Sequence, residues 1–382
     1  MFRFYYNTIA AIAIAFLFLA TNAIAISELG KGEVIFDSRA SVEYDSNVFV
    51  NADEISDLIG RITAGIAFEQ LERSVANVMA RAEVEAVRYL DLKGIDAENL
   101  YLDFEFSYPN NLEKNAYYKF GANWSNITQP RSEVGQIVES ETLNISGAYE
   151  AYLNENSEVR LLGGARTESF EDSAFFDSRD LLFTVNYLYL YSSKLNLVTG
   201  YRYRDLINRS GTGDVNASLI SHTFDIGVEG KLRPKVQGNV SFGIQFADLS
   251  GSTDLAKDAF FYYKIDLEWQ PNSKTSVSLS GSDDFQPSLN GDVNNLRNIS
   301  VKLNQILGSQ AAGSIGLTYA QEDFSGCRSR KDDSITLNSQ YLRSLDENKK
   351  LGLNLGYEIR ESNNDFFSYD QLLLALDFHI SF

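Results

Sequence analysis

Apolar and polar residues alternate with a period of two along almost the whole of this chain. In FFYYKIDLEW, Phe261, Tyr263, Ile265, Leu267 and Trp269 form one set, and Lys264, Asp266 and Glu268 fill the other. From Val34 one parity reads Val34, Phe36, Ser38, Ala40, Val42, Tyr44, and the runs from Leu100 to Tyr108 and from Leu181 to Tyr191 repeat the alternation. The final stretch LLLALDFHISF does so again, through Leu372, Leu374, Leu376, Phe378, Ile380 and Phe382. Successive side chains of a strand point to opposite faces. Such alternation, held over about ten residues, predicts strands that are apolar on one side only.

Two kinds of connection alternate between these strands. Short ones fall at 71–74, 109–114, 154–157, 192–194, 233–235, 271–273, 308–310 and 346–350. Longer polar segments lie near 45–56, 90–98, 126–140, 171–179, 206–216, 249–258, 284–295, 323–333 and 361–369. The spacing gives about eighteen strands in up-and-down order, with 16 the other count it allows. All five prolines (Pro109, Pro130, Pro234, Pro271 and Pro287) are expected in connections, because proline cannot donate to a strand ladder.

A soluble propeller or sandwich would pack apolar faces sheet against sheet, with turns of mixed length at both ends. Short turns at one end and long loops at the other belong instead to a barrel whose apolar face meets lipid. Lipid offers unpaired backbone groups no water, so such a sheet must close on itself. The expected fold class is therefore all-β: a transmembrane up-and-down antiparallel β-barrel over residues 26–382, with short periplasmic turns and long extracellular loops. Residues 1–25 read as a secretory signal peptide. Arg3 is followed by the apolar run TIAAIAIAFLFLA and the small-x-small site Ala23-Ile24-Ala25, too short a run to span a membrane.

If one parity touches lipid, the other lines the lumen. Candidate lumen residues are Arg81, Glu83, Glu85, Asp103, Glu105, Lys119, Asn123, Arg160 and Arg166. Later strands add Arg202, Arg204, Lys264, Asp266, Glu268, Asn354, Glu358, Arg360 and Asp377. An Arg or Lys in hydrocarbon costs ~2–4 kcal/mol at the bilayer midplane, so these charges must face water or one another. Each one alone reads most simply as part of a salt-bridge ladder; selectivity for a solute would belong to the set. Tyr101, Tyr117 and Tyr262 share this parity and read as lumen packing before sugar-stacking platforms. About eighteen strands enclose more space than side chains fill, so an aqueous path is expected unless a loop plugs it.

Composition narrows the function. A formal charge of −19 argues against nucleic acid or an anionic membrane surface as partner. The one cysteine, Cys327, excludes an intramolecular disulfide framework and reads as an incidental free thiol. Only two histidines exist: His222 on the lipid-facing parity and His379 on the lumen parity at the other end, so no site uses both. No serine or acid pairs with either, and no metal-ligand spacing occurs. No enzyme, cofactor or metal is implied. The acidic loops read as solvated surface in preference to cation bridges to lipopolysaccharide. Phe378, Ile380 and Phe382 resemble the C-terminal signal that the barrel-assembly machinery reads in bacterial outer-membrane proteins.

The first outer loop opens Tyr44-Asp45-Ser46-Asn47-Val48-Phe49, followed by an acidic stretch. With the hairpin rhythm and terminal Phe, the motif of Tyr44, Asp45, Asn47, Val48 and Phe49 resembles the opening of the outer-membrane β-barrel porin type 2 family. The resemblance implies an outer-membrane barrel of a Gram-negative bacterium, often encoded with exopolysaccharide genes, and supplies no catalytic residues. Three functions are expected in order: a route or surface anchor for an exopolysaccharide, a diffusion or uptake porin for small solutes, and a closed structural or adhesive barrel. The partners implied are membrane lipid, lipopolysaccharide, the assembly machinery and an exopolysaccharide.

Overall fold

A computed structural model describes residues 32–70, 76–109, 116–210, 214–250, 258–324 and 330–382. The signal-peptide reading of residues 1–25, the turn at 71–74, most of the turn at 109–114 and Cys327 fall outside the described residues. The described residues form eighteen strands. The first nine are β1 (Gly32–Asp45), β2 (Asp57–Gln70), β3 (Asn77–Tyr89), β4 (Ala97–Tyr108), β5 (Ala116–Arg131), β6 (Gln136–Asn154), β7 (Ser157–Phe170), β8 (Asp177–Ser192) and β9 (Leu195–Arg209). Then follow β10 (Val215–Arg233), β11 (Val236–Ser250), β12 (Asp258–Asn272), β13 (Thr275–Pro287), β14 (Val293–Ile306), β15 (Ala311–Phe324), β16 (Lys331–Ser344), β17 (Lys349–Ser362) and β18 (Tyr369–Ser381).

Every strand pairs antiparallel with its sequence neighbours, and β1 pairs with β18, so the sheet closes and leaves no edge. The seam runs from Asp37 opposite Ser381 to Asp45 opposite Leu373. Phe36 and Phe382 then exchange backbone hydrogen bonds, 2.9 Å and 2.8 Å long.

Directly opposed residues of an antiparallel pair share a face, so register alone carries the apolar parity around the wall. Ile265 lies opposite Gly281, Gly281 opposite Ile299, Ile299 opposite Tyr319, Tyr319 opposite Ile335, and Ile335 opposite Ile359. These belong to an outer apolar belt that includes Ile226, 68% exposed, and Phe261, 62% exposed. A soluble protein hides such residues. Here hydrocarbon covers them.

Strand pairing runs further than polarity suggested. The segment expected as a long loop over 126–140 is almost entirely strand: β5 and β6 stay paired until Arg131 and Gln136, leaving a turn at 132–135. Other outer loops shorten likewise, because a ladder can continue past the lipid, where both of its faces turn polar. For the same reason Pro130 and Pro287 lie within strand ends, and Pro271 sits at an irregularity between Trp269 and Asn272, so proline is not confined to the connections.

Candidate functional site: the lumen and its outer mouth

The register places every charged candidate on the face opposite the apolar belt. Arg81, Glu83 and Glu85 stand on β3 beside Asp103 and Glu105 of β4; Arg160 and Arg166 stand on β7, and Arg202 and Arg204 on β9. Lys264 and Asp266 face inward from β12, and Glu358 and Arg360 from β17. Many are joined in pairs and chains. Arg81 bridges Asp37 at 2.8 Å and Glu83 at 2.6 Å, and Lys119 meets Glu105 at 2.9 Å. Arg160 links Glu158 and Glu229 at 2.6 Å and 2.7 Å, and Arg166 reaches Glu168 at 2.8 Å. Arg202 donates to the Tyr262 hydroxyl at 2.6 Å and lies over its ring. Lys264 and Asp266 remain exposed to the interior.

The motif Tyr44 to Phe49 builds a knot at the rim. Tyr44 faces lipid next to the end of β1, whereas the carboxylate of Asp45, its last residue, is buried and accepts two hydrogen bonds from the Gln371 amide, at 2.9 Å and 3.0 Å. Asn47, fully buried, donates to the Asn51 carbonyl at 2.8 Å. Val48 and Phe49 pack on Ile59, Val87 and Tyr89. The residue types follow from the geometry. Short polar side chains satisfy the backbone of a tight loop, and the apolar pair anchors it inward.

The interior differs between its two ends. Toward the periplasm it opens on cavities of about 830 Å³, beside Glu229, Asp266, Glu268 and Ser280, and about 330 Å³, beside Ser276, Asn304 and Gln340. Toward the outside it is filled. Leu206, Ala217, Leu219, Ala247, Leu249, Phe285 and Val293 form a buried apolar cluster, to which β9, β10 and β11 contribute residues of the lumen parity and β13 and β14 contribute Phe285 and Val293 of the other parity. Arg204 crosses from β9 to β13: it grips Asp180 with two bonds of 2.9 Å and 2.6 Å and donates to Asp284 at 2.9 Å and the Phe285 carbonyl at 2.6 Å.

The tip of the β5–β6 hairpin spans this mouth. Ser132 accepts from Arg360 at 2.8 Å, the Glu133 carbonyl accepts from Arg330 at 2.7 Å, and the Gly135 carbonyl accepts from Asn51 at 2.8 Å. The Glu133 carboxylate accepts hydrogen bonds from the Leu289 backbone N–H at 2.8 Å and from the Ser288 hydroxyl. Behind them Arg360 holds Asp332 at 2.6 Å and Glu322 at 2.9 Å. The Arg330 guanidinium is sandwiched between the Phe324 and Phe367 rings at 3.8 Å and 3.9 Å. The aqueous path is thus crossed at its outer end by a polar and aromatic bridge.

Burial of its carboxyl group, with some help from the Glu322 charge, pushes Glu133 up to about 7, against the lowering effects of Ser288, Arg330 and Leu289. A carboxyl whose pKa is raised by docking favours docking fully below its ordinary value of 4.5 and loses that contribution as pH rises through about 7. Ion conductance through the purified barrel is therefore expected to rise severalfold from about pH 5 to about pH 8. Glu133→Gln should flatten that rise, and a pH-independent current in the unmodified protein would show that this carboxyl does not hold the mouth.

Neither histidine joins the others. His222 lies on the lipid face, its Nδ1 2.9 Å from the Tyr201 hydroxyl, while His379 stands opposite Arg39 near the periplasmic end.

A closed sheet with an apolar outside and a charged, partly open inside defines a porin-like outer-membrane β-barrel. Residues 221–382, from early β10 to the end of the sequence, match the family model described as "Putative beta-barrel porin 2". This is the family that the Tyr44–Phe49 motif resembles, here matched on residues beyond that motif. No curated protein matches the sequence. Among solved structures, the chain is similar to OccK1 (OpdK) of Pseudomonas aeruginosa, with TM-score 0.52 and 9% identity over 91% of this chain and 99% of that one. It is also similar to OccK2 (OpdF) of Pseudomonas aeruginosa in complex with glucuronate, with TM-score 0.51 and 9% identity over 92% of this chain and 98% of that one. At such identity the likeness shows the fold alone.

Proposed function

We propose that this barrel is a non-enzymatic channel that carries hydrophilic solute across the outer membrane, with an exopolysaccharide as its exported cargo. The observation that carries the channel reading is the charged inner face, open on the periplasmic side to cavities of about 330 and 830 Å³. Ligand sites are commonly of that size, and a wall meant only to be packed would not leave it. The polymer comes from the family resemblance. In this reading Arg81, Glu83, Glu85, Asp103, Glu105, Arg160, Arg166, Arg202, Arg204, Lys264, Asp266, Glu358 and Arg360 set selectivity as a group, with their mutual pairing keeping the wall round. Residues 1–25 direct export and are removed, Phe378, Ile380 and Phe382 are read by the assembly machinery, and lipopolysaccharide surrounds the outer belt.

The bridged mouth favours a second reading, a porin for small solutes, because a polymer must displace the β5–β6 tip whereas a small molecule can pass beside it. Single-channel recording in a planar bilayer tests the channel: discrete conductance steps are expected, and their absence would leave only a structural barrel. Deleting the gene and assaying secreted polysaccharide separates the cargoes. Polymer should fall several-fold, and an unchanged amount would rule out export.

A further inference from the structure

Charge is spread unevenly around the lumen. On β3 three successive inward positions are Arg81, Glu83 and Glu85. The inner face of β13 to β16 is different. Ser280, Ser300, Thr318 and Thr336 lie directly opposite one another across these four strands, forming one transverse rung. Toward the periplasm a second rung is Ser276, Asn304, Ser314 and Gln340. Toward the outside a third is Ser282, Asn298, Ala320 and Ser334. Between the first two, Ser278 and Asn338 flank Lys302 and Gly316, and Lys302 is the one charge in this grid.

The grid is accessible: its first rung is half-buried, and Asn338 and Gln340 are exposed. Both cavities border it, one against Ser276, Asn304 and Gln340, the other against Ser278 and Ser280. Strand rise and spacing make it roughly 14 Å wide and 20 Å tall. Its hydroxyls and amides already bond one another, Thr318 to Ser300 at 2.9 Å and Asn298 to Ser282 at 3.1 Å.

We infer that the β13–β16 face is the track along which the cargo moves, and that the cargo is an uncharged, hydroxyl-rich glycan. The inference rests on the channel reading and deepens it. Hydroxyl and amide groups offer donors and acceptors together, so they can exchange bonds with sugar hydroxyls at little net cost or gain. No stripping of charged groups is required, and binding stays weak enough for release, as conduction demands. A polyanion finds Lys302 alone within the grid, then the acids Asp284, Glu322 and Asp332 beyond it toward the outside, and meets a chain of formal charge −19. With no aromatic side chain in any of its rungs, the grid also differs from an aromatic platform, which would hold a sugar more tightly.

The test adds maltohexaose to the periplasmic side of the full-length barrel in a planar bilayer, with oligogalacturonate of equal length as the charged comparison. Maltohexaose should interrupt the ion current, and oligogalacturonate should need at least a tenfold higher concentration. The triple variant Ser280→Ala, Ser300→Ala, Thr318→Ala, which keeps strand shape, should weaken the interruption about tenfold while ions still pass. A parallel variant with Asp at the same three positions should abolish it. Equal or better block by the acidic oligomer, or block unaffected by either variant, would overturn the inference. If no current flows at all, the channel reading fails, and saturation-transfer NMR of maltohexaose on the detergent-solubilised barrel decides the track separately: transfer lost in the triple variant supports it, and no transfer overturns it.

Discussion

Ile265→Arg should leave almost no folded barrel in the outer membrane, whereas Asp266→Arg, one residue along, should assemble in near normal amounts. The two side chains leave the same strand on opposite faces. Ile265 belongs to the outer belt, between Val240 and Gly281, and Asp266 faces the interior between Asn239 and Ser280. An arginine at the lipid midplane costs ~2–4 kcal/mol, a large share of the few kcal/mol that usually separate folded from unfolded protein. The inward arginine reaches water and stands beside Glu268. The measurement is the heat-modifiable fraction of protein in purified outer membranes. Equal loss in both variants would mean that the assignment of faces is wrong.

The second large effect concerns the mouth. Arg360→Ala should raise ion conductance several-fold without reducing the amount of assembled barrel. Arg360 supports the β5–β6 tip through Ser132 and compensates Asp332, whose side chain is 1% exposed. Asp332 keeps Arg330 at 3.1 Å, so the loss stays below the about 3–5 kcal/mol of a buried charge left wholly unpaired, and the ladders of β16 and β17 with their neighbours hold the barrel together. Arg360→Lys should fall between the two, because an ammonium cannot fork toward Ser132, Glu322 and Asp332 together. Unchanged conductance in Arg360→Ala, with the protein assembled, would show that the bridge does not restrict flow.

Much of the architecture was readable because lipid imposes a strict rule. A side chain on the belt must be apolar, so strands such as 261–269 print their faces directly into the alternation. Strand number followed. The limits of the loops were less legible. Beyond the lipid both faces of a strand are polar, so the paired stretch up to Arg131 looks like loop in sequence. The filled outer end was missed for the converse reason. Leu206 and Leu219 break the alternation as Leu206-Ile207 and Leu219-Ile220, apolar on both faces, and such doublets signal an interior covered by protein. The bridge through Glu133, Ser288 and Arg330 left no trace at all. Its members are far apart in the chain, and only closure of the sheet brings them together.

The filled outer rim and the roomy inner vestibule make the barrel a one-sided obstacle. A molecule arriving from the medium meets Phe285, Leu249 and the salt-linked hairpin tip before it reaches the inner cavities. One arriving from within enters a wide funnel first. Many copies of such a barrel would present the medium with a narrow outer face while keeping room behind it.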